Sequence, residues 1–358
     1  MAMITPNDAA LQHGPRPLPL FLSMLWQQTE NDPETRQFAL QGLRRYQQVQ
    51  RQPYTHPPPH FVAGERAAIL HLSPDGPTRK APVVLVASLV NPAHILDLGG
   101  GMSLGAYLAG RGHDVWLIDW GSPSPEDADM GLAGHVEKLL LPLIAQLDRP
   151  PIVLGYCLGG TLAIAAAQLC RARALAAIAT PWDFSAYPDD SRGDIAALWA
   201  QHRGACEQLG MVPMEVMQSG FWKLDPARTI RKYAAYARFP EGSAAANAFV
   251  TVEDWANEGA PLTLQAGRDL FEKLYQANET ASGHWRVGGE VISLDALHCP
   301  TLSVASTTDR IVPAGASPVL AEHLDLSLGH VGMIVSRRAP EMLWRPLSDW
   351  IARHEGGA

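Results

Sequence analysis

The sequence predicts an α/β protein with a mostly parallel sheet, helices on both faces of that sheet, and a mainly helical segment inserted between two of its strands. Strand-like and helix-like stretches alternate from about residue 65 onward. Several strand-like stretches are continuous apolar runs, which is typical of strands buried on both faces. The alternation stops near Pro181 and resumes with a strand at 300–306. These observations favour one large core interrupted by an insertion.

Residues 1–60 are predicted to form a separate helical segment followed by a proline-rich linker. Helices are expected at 17–28 and 32–51, and Asp32 with Pro33 supplies an N-cap and a first-turn proline for the second of them. The stretch RQPYTHPPPH at 51–60 predicts an extended linker. The first helix is strongly apolar, so we expect it to dock on the core domain of its own chain, with contact to a partner as the alternative.

The core is predicted to comprise residues 61–184 and 298–358, in which strands and helices follow one another. Strands are expected at 67–73, 81–88, 114–119, 150–155, 174–180, 300–306 and around 324–328. Helices are expected at 103–112, 131–147, 157–170, 316–324 and 339–354. The inserted segment, 185–297, carries mainly helical patterns and is predicted to form a cap or lid.

Composition and charge exclude several classes of protein. The net charge is −8, from 28 basic and 36 acidic residues, whereas nucleic-acid binding needs clustered positive charge. The opening residues lack a basic stretch followed by an apolar run, and no apolar run reaches 18 residues, so we expect neither a secretory signal nor a transmembrane segment. Four cysteines without a CxxC pair predict no disulfide framework, which favours a cytoplasmic protein.

No metal site or cofactor is predicted. His56 and His60 have the spacing of a helical metal-binding pair, but the prolines between them preclude a regular helix. The Gly99-Gly100-Gly101 run lacks the spacing and the downstream acid of a dinucleotide-binding loop.

One motif carries the predicted chemistry: Gly155-Tyr156-Cys157-Leu158-Gly159-Gly160, which lies between a buried strand and a helix. This is the pattern of a nucleophile elbow with Cys as the nucleophile. The tight turn needs small neighbours, which Gly155, Gly159 and Gly160 provide, and the helix N-terminus favours a thiolate. The alternative is a structural cysteine in a glycine-rich turn.

A tetrahedral oxyanion at this elbow would need two hydrogen-bond donors. We expect one to be the amide of Leu158, directly after the nucleophile. The second is expected from the loop after the strand at 81–88, and within that loop we assign it to Val90.

A cysteine nucleophile needs a base, and the base needs an acid to orient it. In this fold the order along the chain is nucleophile, acid, histidine. Asp309 follows the strand at 300–306, and His330 lies in a glycine-flanked loop after the last strand. We therefore predict His330 as the base and Asp309 as its partner. Asp183 also follows a strand and competes for the acid role, whereas Asp119 is expected to brace a turn.

Together these motifs resemble the polyhydroxyalkanoate synthases, members of the α/β-hydrolase superfamily whose elbow carries Cys rather than Ser. The resemblance extends over residues 65–354 and is closest to the short catalytic subunits of the two-component (class III and IV) enzymes. It implies that Cys157 is the acylated nucleophile, His330 its base and Asp309 the acid, with Val90 and Leu158 at the oxyanion positions. The matching stretches are SLVNPAHILDL, DVWLIDWG, GYCLGGT, TPWDF, VEDW, LYQAN, VGGEVISLDALHCPTL, DRIVP and GHVGMIVS.

The resemblance implies an acyltransferase that polymerises (R)-3-hydroxyacyl-CoA into polyhydroxyalkanoate and releases CoA. Its implied partners are the CoA thioester, a second synthase subunit, a second copy of the chain and the polymer granule surface. The same residues would serve a Cys hydrolase or thioesterase that releases free hydroxy acid, and a non-catalytic granule-associated protein is the alternative from another class. Phe221, Trp222 and Tyr275 are expected either to line an acyl channel or to pack in a core.

Overall fold

The computed structural model describes residues 14–51, 57–73 and 80–356. Their contacts divide them into two compact units. The N-terminal unit combines the described residues of Met1–Thr55 with Met214–Gly259, and the sheet unit combines those of His56–Pro213 and Ala260–Ala358. The predicted boundaries followed chain order, whereas these units divide the predicted cap, 185–297, between them. A lid role for that segment stays a prediction. His56 lies outside the described residues.

The described residues contain one large sheet and two small two-stranded ribbons. In chain order the strands are β1 (Pro59–Ala63), β2 (Ala67–His71), β3 (Pro82–Val86), β4 (Asp114–Asp119), β5 (Ile152–Tyr156), β6 (Ala174–Ile178), β7 (Met211–Val212), β8 (Leu262–Thr263), β9 (Arg286–Val287), β10 (Glu290–Val291), β11 (Thr301–Ser306) and β12 (Glu322–Leu326).

The helices occur in both units. They are α1 (Leu18–Gln28), α2 (Pro33–Gln48), α3 (Leu104–Gly110), α4 (Leu132–His135), α5 (Leu141–Ile144), α6 (Leu158–Cys170), α7 (Asp189–Leu209), α8 (Met214–Leu224), α9 (Pro226–Ala237), α10 (Ala244–Asn257), α11 (Leu264–Arg268), α12 (Gly332–Val335) and α13 (Arg345–His354). Three π-helical segments adjoin them, at Val136–Leu140, Asp269–Gln276 and Pro340–Trp344. None of the helices in the described ranges combines the length and apolar character that a bilayer span requires.

The large sheet confirms the predicted fold class. Its strand order is β1-β2-β4-β3-β5-β6-β11-β12. The pairs β1–β2 and β2–β4 are antiparallel, and every other pair is parallel. All residues of β3, β5, β6 and β11 are buried, which explains why their sequences are uninterrupted apolar runs rather than alternating patterns. The carboxyl ends of these parallel strands therefore meet at one edge.

The end of the chain departs from prediction at two places. The helix expected at 316–324 is wrong, because the chain instead enters β12 at Glu322, earlier than the strand expected around 324–328. Pro318 lacks an amide hydrogen and restricts the residue before it, which disfavours a helix. The Thr301 hydroxyl oxygen accepts a hydrogen bond from the Ala321 amide (3.0 Å), and this bond leads the chain into the parallel ladder with β11.

Strand β1 was not predicted. Its first residues lie in the stretch interpreted as linker, yet the chain pairs antiparallel with β2 from Pro59 onward, with an irregularity between Pro59 and Phe61. The helix expected at 131–147 is present but shorter: α4, a π-helical segment and α5 run together from Leu132 to Ile144.

The N-terminal unit is a helical cluster with its own core. The predicted helices are confirmed as α1 and α2, and the Asp32 side chain caps α2 by accepting a hydrogen bond from the Thr35 amide (2.9 Å). Phe21 of α1 packs at 4.8 Å from the ring of Tyr233 in α9. The apolar helix α1 thus packs within its own chain, but the expected docking on the core domain is wrong, because its core partners lie in α2 and in helices of the predicted cap.

Candidate active site

Cys157 occupies the turn between β5 and α6. Its backbone dihedrals are φ 56° and ψ −134°, a conformation that L-residues rarely adopt and that is typical of strained functional turns. The turn is held because the Cys157 amide donates to Ile178 O (2.9 Å) while the Gly160 amide donates to Cys157 O (2.8 Å). The side chain is partly exposed. The elbow geometry predicted from the motif is therefore present.

The three elbow glycines are required by close approach. A Cβ atom at Gly155 would overlap the Cα atom of Gly160. One at Gly159 would overlap the carbonyl oxygen of Ala87, which follows β3, and one at Gly160 would overlap the side chain of Thr180. With larger residues, α6 could not approach β5 and the segments after β3 and β6 this closely.

His330 and Asp309 form a buried pair beside the elbow. His330 Nδ1 lies 2.7 Å from Asp309 Oδ2, and both side chains are almost completely buried. The other carboxylate oxygen, Oδ1, accepts hydrogen bonds from the amides of Ile311 (2.8 Å) and Val312 (3.0 Å). The carboxylate is thus fixed from two sides, and it in turn fixes the imidazole.

The pKa of His330 reflects this arrangement. Burial alone would lower it, but the charges of Cys157 and Asp309, together with side-chain hydrogen bonds to both, raise the pKa to about 10. An imidazole with this pKa is cationic at neutral pH. The site therefore favours an imidazolium that contacts the Cys157 sulfur on one side and the Asp309 carboxylate on the other.

Tyr156, which precedes the nucleophile, supports the histidine. Its ring stacks on the His330 ring at 5.1 Å, and its hydroxyl donates to His330 O (3.3 Å). Burial raises the pKa of Tyr156 well above its ordinary value, and the charges of Cys157 and Asp309 raise it further. Sequence reasoning gave this residue no role, although its position inside the elbow motif was a usable signal.

The two predicted oxyanion donors differ in their present partners. Leu158 is the first residue of α6, where helix amides have no acceptor within the helix. The Val90 amide instead donates to Ser88 Oγ (3.2 Å) in a buried loop. Val90 would have to exchange that acceptor for a substrate oxygen. Both assignments stay predictions.

The competing acids have other partners. The Asp183 carboxylate accepts hydrogen bonds from the amide (3.0 Å) and hydroxyl (2.6 Å) of Ser185 and from Asn278 Nδ2 (2.9 Å). The Ser185 hydroxyl and Asn278 amide bonds hold the pKa of Asp183 below its usual value. Asp119 accepts a hydrogen bond from the Gly121 amide (3.0 Å), as expected of a turn brace. The structure brings Asp309, rather than Asp183, to the histidine.

The three aromatic residues considered for an acyl channel lie in different units: two in the N-terminal unit and one in the sheet unit. Trp222 is buried in the core of the N-terminal unit, 6.1 Å from Phe21, and Phe221 is half-buried. Tyr275 is in the sheet unit, where its ring lies 5.2 Å from that of Tyr187. Burial raises the pKa of Tyr275 to about 12, and the charge of Cys157 adds to this shift, which places the phenol within electrostatic range of the nucleophile. Tyr187 was not singled out from sequence, because an isolated loop tyrosine carries no motif.

The thiols of the other three cysteines are made less acidic than usual by burial. Burial raises the pKa of Cys170 to about 11, and it raises the pKa of Cys206 and Cys299 as well. Within the ranges 14–51, 57–73 and 80–356, no cluster of three or more His, Cys, Asp or Glu could hold a metal ion.

Comparisons with known proteins give the family of this chain. Residues 91–340 match the model of the alpha/beta hydrolase family, and the chain belongs to that family. Its curated relatives include the poly(3-hydroxyalkanoate) polymerase subunit PhaC of Haloferax mediterranei (28% identical, covering 77% of this chain and 60% of that protein) and of Haloarcula marismortui (27%, 80% and 63%). The subunit of the same name from Thiocystis violacea is 26% identical, with 82% of this chain and 88% of that protein covered. The resemblance predicted from the motifs is confirmed.

The chain spans somewhat less than two thirds of the Haloferax and Haloarcula proteins. Among solved structures, a monoacylglycerol lipase of Paleococcus ferrophilus aligns with 81% of this chain and 99% of its own, at 15% identity and a TM-score of 0.49.

Proposed function

We propose that this protein is an acyltransferase that polymerises (R)-3-hydroxyacyl-CoA into polyhydroxyalkanoate with release of CoA. The observation that carries the proposal is the buried His330–Asp309 pair beside a Cys157 that lies at a strained strand–helix turn. The relatives named poly(3-hydroxyalkanoate) polymerase support the substrate class. The geometry supports nucleophilic acyl transfer through a cysteine thioester.

The first half-reaction loads the enzyme. The Cys157 thiolate attacks the thioester carbonyl, a bond forms between its sulfur and the acyl carbon, and the bond to the CoA sulfur breaks. The His330 imidazolium gives its proton to the departing CoA thiolate. Because one thioester replaces another, the step is close to neutral in free energy, which suits a thiol better than a serine hydroxyl.

The second half-reaction forms the ester. The hydroxyl of another 3-hydroxyacyl unit attacks the acyl group on Cys157, its proton passes to the now neutral His330, and the thiolate is released. Asp309 holds the imidazole in the orientation that accepts this proton at Nε2, because Nδ1 is occupied by the carboxylate. The thiolate–imidazolium state is thereby restored for the next unit.

Water must be kept from the acyl-enzyme, since hydrolysis would release a free hydroxy acid. The base and the acid are both buried. Two residues of the predicted cap, Tyr187 and Tyr275, lie within electrostatic range of Cys157. We propose that the parts of the predicted cap that belong to the sheet unit, 185–213 and 260–297, cover the acyl-enzyme and thereby favour transfer over hydrolysis.

The partners follow from the same proposal. The relatives are named as subunits of a polymerase, so we propose that a second synthase subunit associates with this chain. A homodimer and the surface of a polymer granule in the cytoplasm are further proposed sites of association.

The test is to incubate the protein with (R)-3-hydroxybutyryl-CoA, measure thiol release, and determine the size of the acyl products. Cys157→Ala should abolish release, whereas Cys170→Ala, which removes a thiol outside the site, should not. Lengthening products support the polymerase. Free 3-hydroxybutyrate alone would instead establish a thioesterase, and the absence of both release and selective Cys157 labelling would indicate a non-catalytic protein.

A further inference from the structure

The hydroxyl of Tyr187 is a polar group that the chemistry described above does not use. Tyr187 lies in the loop after β6 and is only 6% exposed. Its hydroxyl oxygen is buried without a hydrogen-bond partner among the described residues. Its nearest polar neighbour is the Tyr275 hydroxyl, which helps to raise the pKa of Tyr187 through a weak side-chain hydrogen-bond interaction but does not meet the distance and angle of an ordinary hydrogen bond. Buried polar groups are normally paired, so an unpaired one at a reactive site points to a ligand.

The ring of Tyr187 is held firmly by its neighbours. It stacks on Phe184 with centroids 5.8 Å apart and planes 11° apart, and it meets the Tyr275 ring edge-on at 5.2 Å. Asn278 fixes the start of this loop, since its Oδ1 accepts a hydrogen bond from the Phe184 amide (2.8 Å) and its Nδ2 donates to Asp183. These contacts hold the side chain in one conformation, so the hydroxyl has a fixed position.

The loop after β6 is hydrogen-bonded to the loop that carries Asp309, because two of its amides donate to Ala316 O (2.8 and 3.0 Å). Burial, then the neighbouring Tyr275, then the charges of Cys157 and Asp309 raise the pKa of Tyr187 well above its ordinary value. The phenol therefore keeps its proton across the physiological pH range and can act as a hydrogen-bond donor. Only a substitution that removes the hydroxyl, such as Tyr187→Phe, removes this donor. Both charged groups are within its electrostatic range.

The strand order decides which part of a substrate the hydroxyl meets. Strand β5, which ends at the nucleophile, lies between β3 and β6. The loop after β3 carries Val90, the predicted donor to the thioester carbonyl oxygen, whereas Tyr187 follows β6 on the opposite side. Beyond β6 come β11 and β12, whose loops carry Asp309 and His330. Tyr187 thus lies on the acid–base side, where the 3-hydroxyl group of an acyl chain has to be placed to lose its proton.

We propose that the Tyr187 hydroxyl donates a hydrogen bond to the 3-hydroxyl oxygen of the acyl group carried by Cys157, and that it selects 3-hydroxyacyl thioesters over plain acyl thioesters. This inference rests on the proposed function. Tyr187 acts as a specificity-determining residue: it binds the oxygen that distinguishes the two substrate classes and takes no part in proton transfer.

The test compares two thioesters that differ by that oxygen alone. CoA release in the acylation step is measured with (R)-3-hydroxybutyryl-CoA and with butyryl-CoA for the wild type, for Tyr187→Phe, and for Tyr107→Phe as a control on a half-buried tyrosine of α3. We expect Tyr187→Phe to lower kcat/KM for the hydroxylated thioester about five- to tenfold, the effect of one neutral hydrogen bond. Its kcat/KM for butyryl-CoA should stay unchanged, and Tyr107→Phe should alter neither.

Two further measurements separate a binding role from a structural one. Because the hydroxyl makes no hydrogen bond of ordinary geometry to any of the described residues, Tyr187→Phe should not lower the melting temperature, and the rate at which Cys157 reacts with iodoacetamide should be unaltered. An equal loss with both thioesters, or no loss with either, would overturn the inference while leaving the proposed function intact. If neither thioester acylates the wild-type protein, the proposed function fails and this inference fails with it.

Discussion

Tyr156 and His330 are joined at two points: their rings stack at 5.1 Å, and the Tyr156 hydroxyl donates to the His330 carbonyl oxygen (3.3 Å). The residue before the nucleophile thus fixes both the ring and the backbone of the predicted base. Since Tyr156 belongs to β5 and the backbone of Cys157 is tied to β6, the positions of nucleophile and base are set by the same two central strands. The relative placement of the two reacting groups is therefore a property of the sheet.

Selective labelling should distinguish Cys157 from the other thiols. Burial raises the pKa of Cys170, Cys206 and Cys299, so near pH 8 these remain thiols, which alkylate slowly. We expect iodoacetamide to modify Cys157 first, as read by peptide mass spectrometry. His330→Gln should slow that modification, because it removes the predicted base of Cys157. Equal labelling of all four cysteines would contradict the assignment of Cys157 as the nucleophile.

The two acids provide a matched pair of substitutions. Asp309→Asn removes the charge that orients and stabilises the imidazolium, and we expect CoA release to fall by about 10²- to 10⁴-fold. Asp183→Asn removes a carboxylate of the same type that holds only a loop, so its effect should stay within about tenfold, the equivalent of one hydrogen bond. Initial rates with a saturating thioester give the comparison. Equal losses in the two variants would rule out a special role for Asp309.

The raised pKa of His330 predicts a pH dependence of stability. A histidine whose pKa is about 10 in the folded state, against about 6.5 unfolded, contributes stability that is fully present below the unfolded value. That contribution is lost as the pH rises through the folded value. Urea denaturation from pH 6 to pH 10 should show the free energy of unfolding of the wild type converging on that of His330→Gln. A constant difference between the two proteins would show that the imidazole is not protonated in the folded state.

Glycine substitutions test the close packing of the elbow. Gly159→Ala places a methyl group against the carbonyl oxygen of Ala87, so we expect a loss of stability of about 1–3 kcal/mol from overpacking and a loss of activity. Gly193 of α7 has open space around its Cβ position, so Gly193→Ala should be neutral or should stabilise by about 0.5–1 kcal/mol. Urea denaturation measures both. A Gly159→Ala protein as stable as Gly193→Ala would show that the elbow has room.

A partly buried polar network should stabilise the N-terminal unit. The Asp254 carboxylate accepts hydrogen bonds from the Tyr46 hydroxyl (2.6 Å) and from Arg51 Nε (3.0 Å). Asp254→Ala leaves both donors without this acceptor, and we expect a loss of about 2–4 kcal/mol in the free energy of unfolding. Glu241→Ala, at an exposed position, should change it by less than about 0.5 kcal/mol. Urea denaturation of the wild type and of both variants gives the comparison.

The sequence predicted the central features because they depend on local pattern. Chain order and strand ends were enough to single out Cys157, Asp309 and His330, since parallel strands deliver their carboxyl ends to one edge. The buried strands were recognisable as continuous apolar runs in the sequence. These are properties of short segments, so they can be predicted without knowledge of long-range contacts.

The parts that were missed depend on pairing between distant segments. Strand β1 forms from a proline-rich stretch because its backbone pairs with that of β2. Strand β12 forms in place of a predicted helix because its backbone pairs with that of β11. The Asn278 side chain joins two loops more than ninety residues apart, and no local pattern reveals such a contact. The orphaned Tyr187 hydroxyl is likewise visible only when its surroundings are known.

The two edge strands of the sheet, β1 and β12, have features that oppose pairing with the edge strands of other protein molecules. An open sheet exposes unpaired backbone groups along both margins, and such margins invite the addition of foreign strands. Here β1 opens with a proline and an irregular register, while β12 carries Glu322, His323 and Asp325 within five residues. Both devices discourage ribbon-like growth and aggregation. Pairing between copies of the chain along these sheet margins is therefore disfavoured.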